Sequence, residues 1–306
     1  MTEINLKILE LINKDKSLKE IASIVGMTEK QLYVRIRQII SNGYSLDPIY
    51  THDSEIYYKI NNKDINKKYD NNIRINVPTD LRQLRCIAIS DLHIGNVNSN
   101  IDLLKKVYDY ALKNNIHIIF NCGDFLEGVH ACDKRNINNI YDQIEYITEK
   151  HPYDKSINNF VVFGNHDYHA FHHNGFDVSK KISNLRHDII PIGFGQGIVN
   201  IKKEKILLQH ELCAVNLPKL NEDIKLALVG HGHMMKTKVY DNLLLCLPSL
   251  SYVCPDKTKE NIPSFVDLEL HFTRDNFEFI RAKQMLVEPV IAPISESRCR
   301  MKVLQK

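Results

Sequence analysis

The sequence predicts a layered α/β or α+β domain that follows a smaller, mainly helical domain. Two observations support this division of the 306 residues. Beyond residue 83, short apolar runs alternate with helical stretches and then follow one another more closely, which is typical of strands and helices packed in layers. Before residue 62, the apolar spacing is mostly helical and ends in two strand-like runs. The apolar runs lie at 86–89, 116–120, 160–163, 206–208, 226–229 and 243–247, with helical stretches at 101–114 and 136–149.

The composition is that of a soluble globular protein, with 43% apolar and 25% charged residues. A net charge of +3 indicates no strong electrostatic partner. The seven cysteines are scattered and include no CxxC pair, so we expect reduced thiols, mostly in the core. Neither a signal-peptide pattern nor a membrane-length apolar stretch occurs, so we expect a cytoplasmic protein without membrane contact.

The first part of the chain carries signals for three helices. Apolar residues recur with helical spacing over residues 5–12. Ser17 and Glu20 form a capping box, and Thr28 and Gln31 form a second one eleven residues later. Two short helices that are joined by a brief link are typical of a helix-turn-helix.

A β-hairpin is predicted after these helices. The segment SLDPIYTHDSEIYYKI alternates apolar and polar residues about a turn at Asp53 and Ser54. Helices followed by a hairpin resemble a winged helix-turn-helix domain, which we place at residues 1–62.

The third predicted helix carries Lys30, Tyr33 and Arg37 on its outer face. If this is a recognition helix, these side chains contact DNA or RNA. The alternative is a solvated face on a domain that docks a protein or forms a homodimer. Residues 1–78 hold 12 basic against 10 acidic residues, which is a small excess for a nucleic-acid binder.

Residues 63–82 are polar and rich in Asn and Lys, with Pro78 near their end, and are predicted to be a linker. The larger domain is placed at residues 83–290. Residues 291–306, which end in the basic run SRCRMKVLQK, are predicted to be a C-terminal tail that is either a peripheral strand or disordered.

Polar residues follow five of the apolar runs at the same point, where each predicted strand ends. They are Asp91 and His93, then Asp124, then Asn165, His166 and Asp167, then His210, and finally His231 and His233. One explanation is ordinary turn chemistry at strand ends. The other is a ligand site, because ligands bind at the carboxyl ends of strands in α/β sheets. Because the polar residues stand at the same point after five predicted strands, we favour the ligand site.

The residue types favour a metal centre. Carboxylates, imidazoles and an amide oxygen without thiolates suit divalent ions such as Mn, Fe or Zn. The number of ligands exceeds what one ion needs, so we expect two, with Asp124 as the bridging carboxylate. Manganese is the first expectation, with Fe, Zn, Ni or Co as alternatives.

The motifs DLH, GD, GNHD, His and GHGH resemble, in this order, the signature of the calcineurin-like metallophosphoesterases over about residues 85–285. The resemblance implies a β-sandwich flanked by helices, with the site at the C-terminal ends of the strands. It implies that Asp91, His93, Asp124 and His233 hold one ion, and that Asp124, Asn165, His210 and His231 hold the other. It also implies that a metal-bound hydroxide attacks phosphorus, that His166 protonates the leaving oxygen, and that Asp167 orients His166.

Three features favour a nucleic acid as the substrate. They are the winged-helix-like domain, the turns DLHIGN and GDFLEG, which resemble those of the nuclease branch, and the lack of the phosphatase patterns GDxxDRG and GNHE. We therefore expect a phosphodiesterase or nuclease. The alternatives are a phosphomonoesterase or small-nucleotide hydrolase, whose N-terminal domain serves assembly or regulation, and a DNA-binding regulator without activity. Residues 168–187, which contain several His and Lys residues, either border the substrate groove or form a solvated loop and helix.

Overall fold

The computed structural model describes residues 2–41, 46–50, 56–60, 72–129, 135–168, 177–210, 223–239, 242–254, 261–288 and 291–300. The chain divides into two compact units. The first comprises Met1–Asn71 with Ala170–Asp177, and the second comprises Asn72–His169 with Val178–Lys306. None of the helices in these ranges is long and apolar enough to cross a membrane.

The described residues of the first unit form three helices and two strands in the predicted order. The helices are α1 (Glu3–Asn13), α2 (Leu18–Val25) and α3 (Glu29–Ser41), and the strands are β1 (Leu46–Tyr50) and β2 (Ile56–Ile60). The two strands pair antiparallel, with Leu46 opposite Ile60. The predicted turn at Asp53 and Ser54 lies outside the described residues, and the winged helix-turn-helix remains a prediction.

Local capping explains where α2 and α3 begin. Ser17 accepts from the backbone N–H of Glu20, whose carboxylate accepts from the N–H of Ser17. Thr28 and Gln31 form the same reciprocal pair. Each pair satisfies N–H groups that the first helical turn leaves without partners, so both predicted capping boxes are confirmed.

The second unit is built on two β-sheets. The seven-stranded sheet has the order β15 (Ala292–Arg300), β14 (Asn276–Leu286), β13 (Ser264–Thr273), β4 (Gln83–Ile89), β5 (Ile118–Cys122), β6 (Asn158–Phe163) and β7 (Ile189–Phe194). The six-stranded sheet has the order β11 (Lys236–Val239), β12 (Leu243–Cys246), β10 (Ile224–Val229), β9 (Glu204–Gln209), β8 (Gln196–Ile201) and β3 (Asn72–Ile75). Strands β4 to β7 run parallel, as do β9 and β10.

The main core lies between the two sheets. Phe120 and Val162 from the seven-stranded sheet belong to the same buried cluster as Leu208 and Leu228 from the six-stranded sheet. The helices described in full beside the sheets are α4 (Ile101–Lys113), α5 (Ile140–Lys150) and α6 (Val178–Leu185). The predicted β-sandwich with flanking helices is confirmed.

The linker and the C-terminal tail both contain strands in the structure. The second half of the predicted linker contains β3, whose Ile73 and Ile75 pack against the main core. Alternation of two apolar residues within a polar run is a weak strand signal. Most of the predicted tail forms β15, an edge strand that pairs with β14 and places Cys299 in the core; of the two predicted possibilities, the structure has the peripheral strand.

Candidate metal centre

The polar residues predicted at strand ends converge in the second unit, because β4, β5 and β6 of one sheet and β9 and β10 of the other end at the same edge. The backbone joins these turns: the N–H of Asp91 donates to the carbonyl of Gly123, and the N–H of His93 donates to the carbonyl of Asp124. Asp91, His93, Asp124, Asp167, His210 and His233 are buried, whereas His231 is exposed.

Five of these residues have a left-handed backbone conformation although none is glycine. The φ angles are 59° for Asp91, 50° for His93, 50° for Asp124, 66° for His231 and 54° for His233. Such conformations are uncommon for residues with a β-carbon and cluster at functional sites. The surrounding turns hold these side chains in place at a cost in backbone strain.

The first cluster comprises Asp91, His93 and His233, each with a ligand atom within 4.8 Å of the others. Nε2 of His93 lies 3.3 Å from Nε2 of His233, which lies 3.2 Å from Oδ1 of Asp91. The other oxygen of Asp91 accepts from the N–H of His231 at 3.0 Å. Oδ1 of Asp91 is buried and faces this imidazole without a well-directed hydrogen bond to any described residue, and a buried carboxylate oxygen in this condition is suited to bind a cation.

The second cluster comprises Asp124, His210 and His231, again within 4.8 Å. Nε2 of His210 lies 3.1 Å from Oδ2 of Asp124 and 3.0 Å from Oδ1 of Asn165. Oδ2 of Asp124 also lies 3.8 Å from Nε2 of His93. This one carboxylate oxygen therefore faces an imidazole of each cluster.

In three histidines of the centre, Nδ1 lies within hydrogen-bond distance of an oxygen acceptor. Nδ1 of His93 lies 2.9 Å from a carboxylate oxygen of Glu127. Nδ1 of His210 lies 2.7 Å from the carbonyl oxygen of Cys122, and Nδ1 of His233 lies 2.8 Å from that of Val253. Because these oxygens only accept, each Nδ1 carries a proton and each Nε2 is directed inward, as in histidines that bind metals.

The charges in this pocket favour bound cations. Burial opposes protonation of His210, but the carboxylate of Asp124 outweighs burial and raises the pKa of His210 to about 10. Burial likewise opposes ionisation of Asp124, but His210 outweighs it and holds the pKa of that carboxyl well below its usual range. Protons supply the positive charge in the metal-free chain, and divalent ions would displace them. The donor set of carboxylates, imidazoles and an amide oxygen therefore fits two divalent ions.

Asp167 makes a different contact from the predicted one with His166. Its two oxygens accept from the backbone N–H groups of Phe125, Leu126 and Gly164 at 2.7 to 3.1 Å. Nδ1 of His166 instead lies 2.9 Å from the carbonyl oxygen of Glu127. Asp167 therefore fixes the turns after β5 and β6, and the backbone of Glu127 orients the imidazole.

Gly164, which follows β6, lies very close to the central carboxylate. A β-carbon at this position would collide with the side chain and the backbone nitrogen of Asp124. Glycine is needed here because β6 passes very close to the central carboxylate.

Glu127 is the site residue that sequence reasoning missed. Its side chain is only 2% exposed and contacts His93 in the interior of the centre. The available signal was a carboxylate three residues after Asp124 in the run GDFLEG. A lone Glu in a turn is usually solvated, so this signal was weak.

The residues predicted to contact nucleic acid or substrate either lie outside the described residues or contact other parts of the fold. The side chains of Lys30, Tyr33 and Arg37 lie outside the described residues, and so does most of the loop after Tyr168. Arg186, from the segment considered for substrate contact, bonds Asp188 and the carbonyl oxygens of three residues near the end of α5, namely Thr148, His151 and Pro152. This arginine stabilises the fold.

Comparison with known proteins gives a family match. The profile of the calcineurin-like phosphoesterase superfamily domain matches residues 84–266, more than half of the chain. The metallophosphoesterase Cj0846 of Campylobacter jejuni is 22% identical over an alignment of 242 residues, and the match covers 71% of this chain and 60% of that protein. The chain thus spans less than two thirds of the length of this curated relative.

Two solved structures have a similar but distant fold. The phosphoesterase YfcE from E. coli is 17% identical with a TM-score of 0.44, and the match covers 70% of this chain and 98% of that one. Wild-type Vps29 from Entamoeba histolytica, complexed with zinc, is 16% identical with a TM-score of 0.41, and the match covers 71% and 99% of the two chains.

Proposed function

The chain belongs to the calcineurin-like phosphoesterase superfamily, and we propose that it is a phosphodiesterase that cleaves DNA or RNA with two bound divalent metal ions. Membership of the superfamily supports hydrolysis of phosphoesters. The choice of a diester, of a nucleic acid and of Mn²⁺ as the ion is our proposal.

The observation that carries the proposal is the position of Asp124 between the two clusters. Its Oδ2 faces Nε2 of His93 at 3.8 Å and Nε2 of His210 at 3.1 Å. Asp91, His93, Asp124 and His233 would hold one ion, and Asp124, Asn165, His210 and His231 would hold the other. When bound, such a pair of ions supplies Lewis acidity and lowers the pKa of coordinated water.

The chain itself supplies a proton donor. Nε2 of His166 lies 3.9 Å from Oδ2 of Asp124, so it is directed toward the centre. The side chain is 22% exposed, and a substrate can therefore reach it. Nδ1 of His166 donates its proton to the carbonyl oxygen of Glu127. His166 can therefore give a proton from Nε2 to the leaving oxygen in its imidazolium form, and it then remains as the neutral imidazole with its proton on Nδ1.

Support for a nucleic acid comes from the first unit, where three helices and a hairpin follow one another as in winged helix-turn-helix domains. The near balance of charge in residues 1–78 instead favours the second candidate, a phosphomonoesterase or small-nucleotide hydrolase whose first unit serves assembly.

The test measures Mn²⁺-supported hydrolysis of two small phosphoesters and of polynucleotides by the full chain. They are bis-p-nitrophenyl phosphate, p-nitrophenyl phosphate, and labelled single- and double-stranded DNA and RNA, with Asp124→Ala as the control. Cleavage of the diester and of polynucleotides that is absent in Asp124→Ala supports a nuclease. Cleavage of the monoester alone would overturn it in favour of the second candidate.

A further inference from the structure

We propose that Glu127 is a positioning residue that holds a metal ligand with its side chain and the proton donor with its backbone. The inference rests on the proposed function, because it concerns the same centre. Glu127 lies in the turn after β5 and is 2% exposed. Its carboxylate is therefore removed from water and available to the residues around it.

The side chain of Glu127 pairs with His93. Its Oε2 lies 2.9 Å from Nδ1 of His93, within hydrogen-bond distance. His210 and His233 donate their Nδ1 protons to neutral backbone carbonyls, whereas His93 donates to a charged group. A carboxylate behind a histidine fixes its tautomer and increases the electron density on Nε2, which strengthens a metal bond.

The backbone of Glu127 contacts His166. Its carbonyl oxygen lies 2.9 Å from Nδ1 of His166, and its carboxylate oxygen lies 3.6 Å from the same nitrogen. The rings of His93 and His166 meet edge to face, with centroids 4.6 Å apart. One residue thus sets the orientation of the imidazole that would bind metal and of the imidazole that would donate a proton.

Glu127 is itself held rigidly. Its N–H donates to the carbonyl oxygen of Ile94 at 2.8 Å. The preceding N–H, of Leu126, donates to Asp167 at 2.7 Å, and the following N–H, of Gly128, donates to Gln143 at 2.9 Å. Three consecutive fixed N–H groups leave the side chain little freedom, which is what a positioning role requires.

Substitution of Glu127 tests the proposal. Glu127→Gln keeps an acceptor but removes the charge, Glu127→Ala removes both, and Glu127→Asp keeps the charge on a shorter side chain. Glu204→Gln is the matched control, since Glu204 is also buried and accepts a backbone N–H, from Phe277, at 2.9 Å. Calorimetry measures the affinity and the stoichiometry of Mn²⁺ binding. Steady-state kinetics with bis-p-nitrophenyl phosphate measure kcat and KM.

We expect Glu127→Ala to weaken Mn²⁺ binding and lower kcat by roughly 10- to 100-fold, as loss of such partners does in metal sites. Glu127→Gln should lie between Glu127→Ala and the wild type, and Glu127→Asp should regain part of the loss. KM should change little, and Glu204→Gln should match the wild type. Unchanged affinity and kcat in folded Glu127→Ala would overturn the proposal. Loss of a full metal equivalent in Glu127→Gln would overturn it in favour of a direct ligand.

A measurement without metal separates this inference from the proposed function. Nitrogen-15 NMR of the imidazoles in the metal-free protein reports which ring nitrogen of His93 carries the proton. We expect Nδ1–H in the wild type and a mixture of tautomers in Glu127→Ala. If the wild type neither binds Mn²⁺ nor cleaves phosphoesters, the proposed function fails, while a tautomer change in Glu127→Ala still supports the contact. An identical tautomer in both proteins would refute the positioning role.

Discussion

Nε2 of His93 lies 3.3 Å from Nε2 of His233, and the other ring nitrogen of each histidine is bonded to an oxygen acceptor. Two inward nitrogens this close repel each other when both carry only a lone pair. In the metal-free chain, a proton between the two nitrogens removes this repulsion. Burial opposes protonation of His233, but the carboxylate of Asp91 outweighs burial and raises the pKa of His233. A divalent ion between the rings would relieve it more completely.

Metal binding is therefore expected to stabilise the fold. Free Mn²⁺ at about a hundred times its Kd should stabilise the protein by about 2.7 kcal/mol for each site that binds it, seen as a higher Tm than in chelator. The wild type should retain two equivalents after dialysis, and His233→Ala should retain fewer. His271→Ala is the control, because His271 is stacked on Phe279 in β13 and β14. Two equivalents in His233→Ala would contradict the assignment of the first cluster.

Asp124 and His166 are expected to differ in what they supply. Asp124→Ala should lose bound metal and turnover together, because Asp124 faces both clusters. His166→Ala should keep its metal and lose turnover by roughly 10²- to 10⁴-fold, which is the contribution of general acid catalysis. Elemental analysis with kinetics on the same samples makes the comparison, and Glu149→Ala on the exposed side of α5 is the control. Full activity in either variant would refute the site assignment.

A methyl group at Gly164 should damage the centre. Gly164→Ala places a β-carbon against the side chain and backbone of Asp124, and such overpacking costs about 1–3 kcal/mol. Gly232→Ala is the matched control, since the nearest atom to a β-carbon there is 3.9 Å away. Chemical denaturation in chelator measures stability without the contribution of metal. Equal stability of the two variants would contradict the close approach of β6 to Asp124.

The sequence predicted which residues meet, because that information is local. A buried apolar run followed by Asp, His or Asn indicates a strand and its C-terminal end, and parallel strands bring such ends together. In this way the positions of Asp91, Asp124 and His210 could be expected at one edge of the sandwich. The capping boxes of α2 and α3 were readable for the same reason.

What the sequence could not predict depends on contacts between distant turns. The left-handed backbone at Asp91 and Asp124 is imposed by the surrounding turns, although Asp adopts it more readily than most residues with a β-carbon. The N–H of Leu126, which donates to Asp167, lies 41 residues from it along the chain, and His93 lies 34 residues from Glu127. Only the packed structure brings these groups together.

His151 should make stability depend on pH away from the metal centre. Burial lowers the pKa of His151 to about 4, against a usual value of about 6.5. The unfolded chain therefore binds more protons between these values, so stability is present above about pH 6.5 and falls as pH drops toward 4, by an amount on the order of 3 kcal/mol.

The measurement for His151 is the free energy of unfolding in chelator at several pH values. His151→Phe keeps a ring against Tyr108 and Phe125 but cannot titrate. The stability difference between wild type and His151→Phe should shrink or reverse as pH falls from 6.5 to 4. A difference that stays constant across this range would contradict a neutral buried imidazole.

The predicted recognition helix is tested by removing its outer side chains. Lys30, Tyr33 and Arg37 are substituted together by Gln, Ala and Gln. If they contact phosphates and bases, cleavage of polynucleotides should fall and its salt dependence should weaken, because each lost phosphate contact reduces counterion release. Cleavage of bis-p-nitrophenyl phosphate should remain, since this small diester needs only the metal centre.

Lys7→Gln with Lys19→Gln removes the same charge from exposed positions on α1 and α2 and is the control. Unchanged polynucleotide binding and cleavage in the triple variant would assign the first unit to assembly or regulation and favour a small phosphoester as the substrate.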